Sequence, residues 1–153
     1  MNNLLRELQD TLAHEIPLTR HLGLIVDSYH NERLILKAPL GCNINHKRTA
    51  FAGSINALAT LAGWGQLWLV LKELDIPGQI VIQDSSSNYL LPVKDDFIAS
   101  CQRPGEEQIT RLAQTLQKHK KARVELGAEV YSGHDLAAVF KGRYVLHLTP
   151  SLA

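Results

Sequence analysis

A long apolar segment constrains the fold of this chain more than any other feature. Residues 53–74 read GSINALATLAGWGQLWLVLKEL, with apolar side chains on nearly every side of a helix, and Pro77-Gly78 ends the segment. A helix that is apolar all round must be enclosed by the rest of the fold. Its apolar run falls just short of the roughly 20 residues that span a bilayer, and it contains Asn56, Thr60 and Gln66. We therefore interpret it as a buried helix rather than a membrane span.

The remaining segments predict strands and smaller helices. Branched and aromatic residues predict six strands, in residues 24–30, 33–40, 79–92, 95–102, 121–132 and 136–148. Asn31-Glu32 separates the first two as a hairpin turn would, and the last two are expected to form a closing hairpin. Gly127 and Gly142 are expected to mark bulges or bends. Helical spacing predicts one helix that ends near Ile16-Pro17 and another over residues 106–119.

Together these elements predict an α+β fold of the hotdog type. An antiparallel sheet of about six strands would wrap around the long apolar helix. One sheet cannot cover such a helix completely, so the fold predicts a homodimer or a dimer of dimers, joined through edge strands.

Composition narrows the class of protein. The chain has 153 residues, which predicts a single domain over residues 1–153, and it is 45% hydrophobic and 20% charged. A net charge of +1 offers no electrostatic case for binding nucleic acid. Two cysteines cannot form a disulfide framework, and the start MNNLLRELQDTLAHEIP lacks the basic and apolar regions of a signal peptide. We expect a cytoplasmic protein with free thiols and no membrane association.

Several kinds of site find little support in the sequence. The seven histidines show no metal-ligand spacing, and no glycine-rich nucleotide loop occurs, so we expect neither a metal nor another cofactor. Cys42 precedes His46 by four residues, but a small residue near a turn is the more ordinary interpretation than a nucleophile. A basic cluster is either a solvated helix end or a docking site for an acidic carrier protein or the phosphates of coenzyme A; it comprises Lys118, Lys120, Lys121 and Arg123.

The polar stretch NINHKRTAFAGS, residues 43–54, leads into the long helix. Phe51-Ala52-Gly53-Ser54 allows a tight turn, and the first amides of a helix have no partners within it. Such amides can hold an oxyanion, and Asn45 can add a neutral NH₂ donor. The alternative is that Asn43 and Asn45 cap a turn.

At this point the sequence resembles the hotdog superfamily of acyl-thioester enzymes. The resemblance is carried by NHKRTAFAGS at the start of the helix and by SSSNYLLPVKDDF on the next strand, where Tyr89, Pro92 and Asp96 resemble that strand's signature. More narrowly, APLGCNINHKRTAFAGSINALATLAGWG and KARVELGAEVY resemble a family labelled putative thioesterase, which also occurs fused to a GNAT acetyltransferase domain. That family is associated with decarboxylation of malonyl-acyl-carrier protein in fatty-acid synthesis.

The resemblance implies a site that departs from the usual pattern at three positions. Many hotdog thioesterases carry Asn-x5-His-Gly-Gly and an acid nine residues after the histidine. Here Asn45 keeps the asparagine and Ala52-Gly53 replaces the glycine pair, but Phe51 and Thr60 replace the histidine and the acid. Hydrolysis needs a base, whereas decarboxylation needs mainly a stabilised enolate oxygen. We therefore expect Asn45 and an amide near Gly53 to bind that oxygen and Thr60 to position the malonyl carboxylate.

Two alternatives stay open. In the first, the chain hydrolyses acyl thioesters, and Asp84 or Ser86 supplies the missing base or anchors the water across a dimer. In the second, it binds acyl thioesters without turning them over. In either case the expected partners are thioesters of acyl-carrier protein or coenzyme A. The residues expected to contact them are Asn43, Phe51, Ala52, Asp84, Ser86, Tyr89, Lys121 and Arg123.

Overall fold

The computed structural model of the chain describes residues 1–150. The helices are α1 (Asn2–Glu15), α2 (Leu18–Leu22), α3 (Ala52–Leu74) and α4 (Glu106–His119). The strands are β1 (Ile25–His30), β2 (Arg33–Ala38), β3 (Gly78–Tyr89), β4 (Phe97–Gln102), β5 (Lys121–Ser132) and β6 (Asp135–Leu148). The sequence predicted all of these except α2, where a plain turn was expected.

The six strands form one antiparallel sheet in the order β1-β2-β4-β5-β6-β3. The β1–β2 turn is tight because Asn31 and Glu32 both adopt positive φ angles, of 52° and 62°. Two-residue hairpin turns need such angles to match the twist of the strands that they join. Strands β1 and β3 are the two edges of the sheet. The α+β fold with a six-stranded antiparallel sheet and one long apolar helix is confirmed.

The long helix α3 lies in the core, as its composition requires. Leu58, Ala62 and Leu67 are fully buried, and 67% of the helix's most apolar 18-residue window lies inside the fold. Length and composition alone would also suit a membrane span, but this burial is that of a core helix. One stripe of α3 stays half-exposed, and its members follow each other every four residues: Asn56, Thr60, Trp64 and Trp68.

Two glycines let α3 approach the sheet closely. A side chain at Gly63 would collide with the phenol of Tyr144, which is fully buried. That phenol donates a hydrogen bond to the Thr60 carbonyl oxygen over 2.6 Å, and burial raises its pKa. A side chain at Gly65 would meet Leu34. The helix is therefore held against the sheet by contacts that only glycine permits.

The irregularities of the sheet lie elsewhere than predicted. Gly127 and Gly142 pair in register with Lys141 and Leu126, so the bulges expected at these glycines are wrong. The register shifts instead fall between Val26 and Ser28, between Ile82 and Asp84, and between Val130 and Tyr131. A side chain at Gly142 would collide with Phe140 and Ile82, so this glycine serves close packing.

The face of the sheet away from α3 is charged. Ion pairs cross this face between Arg33 and Glu129 at 3.7 Å, Lys141 and Glu125 at 3.5 Å, and Arg143 and Asp84 at 3.6 Å. The first reaches from β2 over β4 to β5, and the other two link neighbouring strands. This outer face is solvated, whereas the opposite face packs on α3.

Candidate active site

The loop that leads into α3 is built around Asn43. This residue is only 4% exposed, and its amide donates hydrogen bonds to the carbonyl oxygens of Leu22 and Pro39 over 2.9 and 2.8 Å. Its own carbonyl oxygen accepts from the Phe51 amide over 2.7 Å. Because both amide hydrogens are engaged, Asn43 ties the loop together and cannot reach a ligand. The structure therefore contradicts the prediction that Asn43 binds substrate.

Asn45 organises the next turn and is half-buried. Its side-chain oxygen accepts hydrogen bonds from the backbone amides of Lys47 and Thr49 over 2.8 and 3.2 Å. Its side-chain nitrogen donates to the Thr49 hydroxyl over 2.9 Å and lies 3.5 Å from the Ala50 carbonyl oxygen. The second contact is at the long end of hydrogen-bond distances. Asn45 thus holds a turn while keeping one weakly engaged N–H donor.

The first amides of α3 are the clearest donors at the site. Phe51 precedes the helix in an extended conformation, and its carbonyl oxygen accepts from the amides of Ser54 and Ile55 over 2.9 and 3.1 Å. The amides of Ala52 and Gly53 have no acceptor among residues 1–150, and both residues are exposed. The dipole of a 23-residue helix adds partial positive charge at this end.

The Phe51 ring lies across the start of the helix. A Cβ atom on Gly53 would coincide with this ring, so Gly53 is the residue that lets the ring lie there. The ring is 56% exposed. It places an apolar wall beside the two free amides, at the position where many hotdog thioesterases carry histidine.

The C-terminal end of β3 lies beside the first turn of α3. The Tyr89 hydroxyl donates to the Ala52 carbonyl oxygen over 3.3 Å, and the Ser87 hydroxyl donates to the Asn56 side-chain oxygen over 2.7 Å. The structure therefore brings Tyr89, Ala52, Gly53 and Phe51 together. The sequence analysis did not identify Asn56 or Ser87 as site residues.

A bulge decides which residues of β3 face the helix. Ile82 pairs with Tyr144 and Asp84 with Arg143, so Gln83 is extra and the alternation reverses beyond it. Ser87 then faces α3, whereas Asp84 and Ser86 face the outer side, where Asp84 meets Arg143. The prediction that Asp84 or Ser86 supplies a base at this site is therefore contradicted. Extending the sheet by an edge-to-edge dimer would leave both on the outer face.

Thr60 lies on the same stripe of α3 but further from its start. Its hydroxyl donates to the Asn56 carbonyl oxygen over 2.8 Å, and seven residues of helix separate it from Gly53 by about 10 Å. A malonyl group has one methylene between its two carbonyl carbons, so a carboxylate next to the free amides would not reach Thr60. The structure places Thr60 near the site but does not support its predicted role.

Lys121 and Arg123 lie at the opposite end of the sheet. Lys121 pairs with His147 of β6, whereas Tyr89 pairs with Ala138, so about 30 Å of strand separates the two ends. The Arg123 guanidinium donates to the Gln83 side-chain oxygen over 3.0 Å on the outer face. Within one protomer these cations cannot contact the acyl group of a substrate held at the start of α3. Docking of a carrier protein or of the phosphates of coenzyme A by Lys121 and Arg123 stays a prediction.

The neighbourhood of the free amides is neutral to basic. His46, Lys47 and Arg48 are exposed on the preceding turn, and neither Lys47 nor Arg48 has a carboxylate within 4.0 Å among residues 1–150. Asp96 instead accepts a hydrogen bond from the Leu40 amide over 2.9 Å. In the same described part, no three His, Cys, Asp or Glu side chains cluster as metal ligands would.

Neither thiol is arranged as a nucleophile in the described part of the chain. The Cys42 thiol contacts the Leu22 carbonyl oxygen at 3.4 Å rather than His46. Burial raises the pKa of the fully buried Cys101 to about 12, so this thiol stays protonated at neutral pH. The site thus offers hydrogen-bond donors for a developing oxyanion and holds no activated base or nucleophile in residues 1–150.

Comparison with known proteins identifies the family of the chain. Residues 5–148 match the model of a family described as "Putative thioesterase (yiiD_Cterm)". A solved structure of a putative thioesterase from Shewanella oneidensis is 35% identical with a TM-score of 0.88, and the match covers 98% of this chain and 100% of that one. A protein of unknown function from Chlorobaculum tepidum is 29% identical with a TM-score of 0.92, over 97% and 96% of the two chains.

A structure with lower sequence identity shares the same fold. A thioesterase from Haemophilus influenzae is 14% identical with a TM-score of 0.73, over 97% of this chain and 93% of that one. At this identity the likeness shows the fold alone. Together with the nearer matches it confirms the predicted hotdog fold.

Proposed function

The chain belongs to the putative thioesterase family of the hotdog superfamily, whose members are thioesterase-like proteins, and on this premise we propose that it decarboxylates malonyl thioesters to acetyl thioesters. The observation that carries the proposal is the pair of free amides at Ala52 and Gly53, which lie in a site that holds no activated base among residues 1–150. The natural substrate is malonyl-acyl-carrier protein or malonyl-coenzyme A.

The reaction needs what this site contains. The bond between the malonyl methylene carbon and its carboxylate carbon breaks, and CO₂ leaves without its bonding electron pair. That pair forms an enolate whose charge lies largely on the thioester oxygen. Water then protonates the methylene carbon, and the acetyl thioester results. The step that limits the rate therefore calls for donors aimed at one oxygen, which commonly contribute about 10² to 10³ each in rate.

Each residue of the site has its own role in this reaction. The amides of Ala52 and Gly53 donate to the thioester oxygen, and the weakly engaged N–H of Asn45 adds a third donor. The Phe51 ring provides an apolar wall that favours neutral CO₂ over a charged carboxylate. Asp84 lies on the outer face of the sheet beside Arg143, and Asp96 accepts from the Leu40 amide.

Hydrolysis of an acyl thioester is the second candidate, because the family description names a thioesterase. It would require a base to activate water. Within a protomer Asp84 and Ser86 lie on the outer face of the sheet and cannot act as this base. The geometry therefore favours decarboxylation over hydrolysis.

A mass-spectrometric product assay tests the proposal. Purified protein is incubated separately with malonyl- and acetyl-carrier protein, and the coenzyme A thioesters are tested in parallel. We expect CO₂ and an intact acetyl thioester from the malonyl substrate and no reaction of the acetyl substrate. A free thiol together with a free acid would establish hydrolysis instead. Binding of both thioesters without turnover of either would establish a binding domain.

We further propose that the protein is a homodimer joined through β3. This edge strand is 12 residues long, and exposed apolar side chains lie on it or just after it: Val81, Ile82, Tyr89, Leu90 and Leu91. A long edge strand with exposed apolar side chains can pair with a strand of another molecule. A second copy would also cover the half-exposed stripe of α3. A cytoplasmic location stays a prediction.

A further inference from the structure

One polar contact links α3 to β3 beside the free amides. The Ser87 hydroxyl donates to the Asn56 side-chain oxygen over 2.7 Å, and both residues are half-buried. The side-chain nitrogen of Asn56 then keeps two N–H donors with no acceptor among residues 1–150. A half-buried amide with free donors is positioned to bind an acceptor from outside the chain.

The position of this amide relative to the oxyanion donors suits a small dicarboxylic group. Asn56 lies three and four residues after Gly53 and Ala52, on the same face of the helix, about 5 to 6 Å along its axis. Side chains on a helix lean toward its N-terminus, so the Asn56 amide leans toward the free backbone amides. A thioester oxygen and a carboxylate separated by one methylene span a similar distance.

We propose that Asn56 and Ser87 form the binding site for the free carboxylate of the substrate, and that this pair selects malonyl over acetyl thioesters. The inference rests on the proposed function and assigns the role that Thr60 cannot fill. The Asn56 amide donates to the carboxylate directly. The Ser87 hydroxyl holds the Asn56 oxygen and so fixes which way the amide points.

Uncharged donors suit a carboxylate that must leave as CO₂. A lysine or arginine would stabilise the carboxylate charge strongly and would raise the barrier to losing it. An amide gives a weaker hydrogen bond that orients the group, and the same oxygens still accept it as the carbon–carbon bond begins to break. The pair therefore contributes to substrate binding more than to the rate of the chemical step.

The sequence offers a matched control for each residue. Ser86 and Asn88 lie on the same strand, but both face the outer side of the sheet, because Ser86 pairs with Lys141 and Asn88 with Val139. The experiment compares Ser87→Ala with Ser86→Ala, and Asn56→Ala with Asn88→Ala. Asn56→Asp is the sharpest variant, because it preserves the shape and the acceptor for Ser87 but replaces the donors with a negative charge.

Binding of malonyl-coenzyme A and acetyl-coenzyme A is measured by calorimetry, with KM in place of Kd for any thioester that is turned over. We expect Asn56→Ala and Ser87→Ala to weaken malonyl binding by about tenfold or more and Asn56→Asp to weaken it further. Acetyl binding and kcat should change less than threefold, and the Ser86 and Asn88 variants should match the wild type. Ser87→Thr, which keeps the hydroxyl, should restore malonyl binding.

Equal losses for malonyl and acetyl thioesters would overturn the inference, because they would show a structural role of the pair. Unchanged malonyl binding in Asn56→Asp would overturn it as well. The wild-type product assay judges the proposed function separately. If the wild type hydrolysed both thioesters, selection of malonyl by Asn56 would still be decided by the ratio of the two KM values.

Discussion

Asn45 shows how one side chain can serve both structure and chemistry. Its oxygen stabilises the turn before α3, and its nitrogen carries the donor that the proposed reaction uses. An alanine at this position removes both functions at once. An aspartate removes the donor and adds a negative charge, but its carboxylate can still accept from the amides of Lys47 and Thr49.

At the residue scale we predict that Asn45→Ala loses at least about 10² in decarboxylation rate, as expected for a lost oxyanion donor, and folds with the same oligomeric state. Asn45→Asp should keep the wild-type melting temperature but lose more activity than Asn45→Ala, because it also places a negative charge beside the developing oxyanion. Rates are measured at saturating malonyl thioester, and folding by thermal unfolding. Wild-type turnover in Asn45→Asp would reduce Asn45 to a turn residue.

At the scale of elements, the contact between α3 and the sheet depends on two glycines inside a helix. Glycine is a poor helix former, so Gly63 and Gly65 weaken α3 taken by itself. Their benefit comes from the fold, because Tyr144 and Leu34 occupy the space that side chains at these positions would need. The close packing of α3 against the sheet therefore outweighs the low helix propensity of these two glycines.

We predict that Gly63→Ala destabilises the protein by about 1 to 3 kcal/mol, because overpacking a well-filled core forces neighbouring groups to move. Gly41→Ala is the control, since nothing lies within 4 Å of a side chain there. Urea unfolding at one fixed protein concentration measures both. A helix-propensity effect alone would make Gly63→Ala stabilising, and that result would contradict the packing account.

At the scale of the whole molecule, the two edges of the sheet differ. Strand β1 is only six residues long, and a short edge strand discourages pairing with another strand. Strand β3 is twice as long and exposes three large apolar side chains, Val81, Ile82 and Tyr89, whereas β1 exposes Ile25. A groove of about 960 Å³ lies beside the start of β3, lined in part by Trp64, Trp68 and Ile80. A second copy on β3 would adjoin this groove.

We predict that Val81→Lys on β3 converts the dimer to a monomer, whereas Ile25→Lys on β1 leaves it intact. Both side chains are about half exposed, 51% and 53%, so each substitution places a charge at a similar depth. Light scattering across a concentration series gives the mass. A monomeric wild type would contradict the dimer proposal, and dissociation caused only by Ile25→Lys would move the interface to β1.

Much of the fold could be predicted because its signals are local. The all-round apolarity of α3 and the branched residues of the six strands lie in short stretches. The local sequence of each stretch favours the helix or strand that it forms. The positions of Phe51, Ala52 and Gly53 at the start of α3 followed from the same local pattern. The resemblance to acyl-thioester enzymes was likewise carried by continuous motifs.

The details of the site were decided only by the tertiary structure. A one-residue bulge at Gln83 reverses the alternation of β3, so Ser87 faces α3 while Ser86 and Asp84 do not. No local signal distinguishes three successive serines, because their direction depends on pairing with β6, more than fifty residues away in sequence. The sequence by itself determined which elements form and the absence of a histidine and an acid at the usual positions. Contacts between distant segments determined that Asn43 is buried, that Lys121 and Arg123 are remote, and that Asn56 meets Ser87.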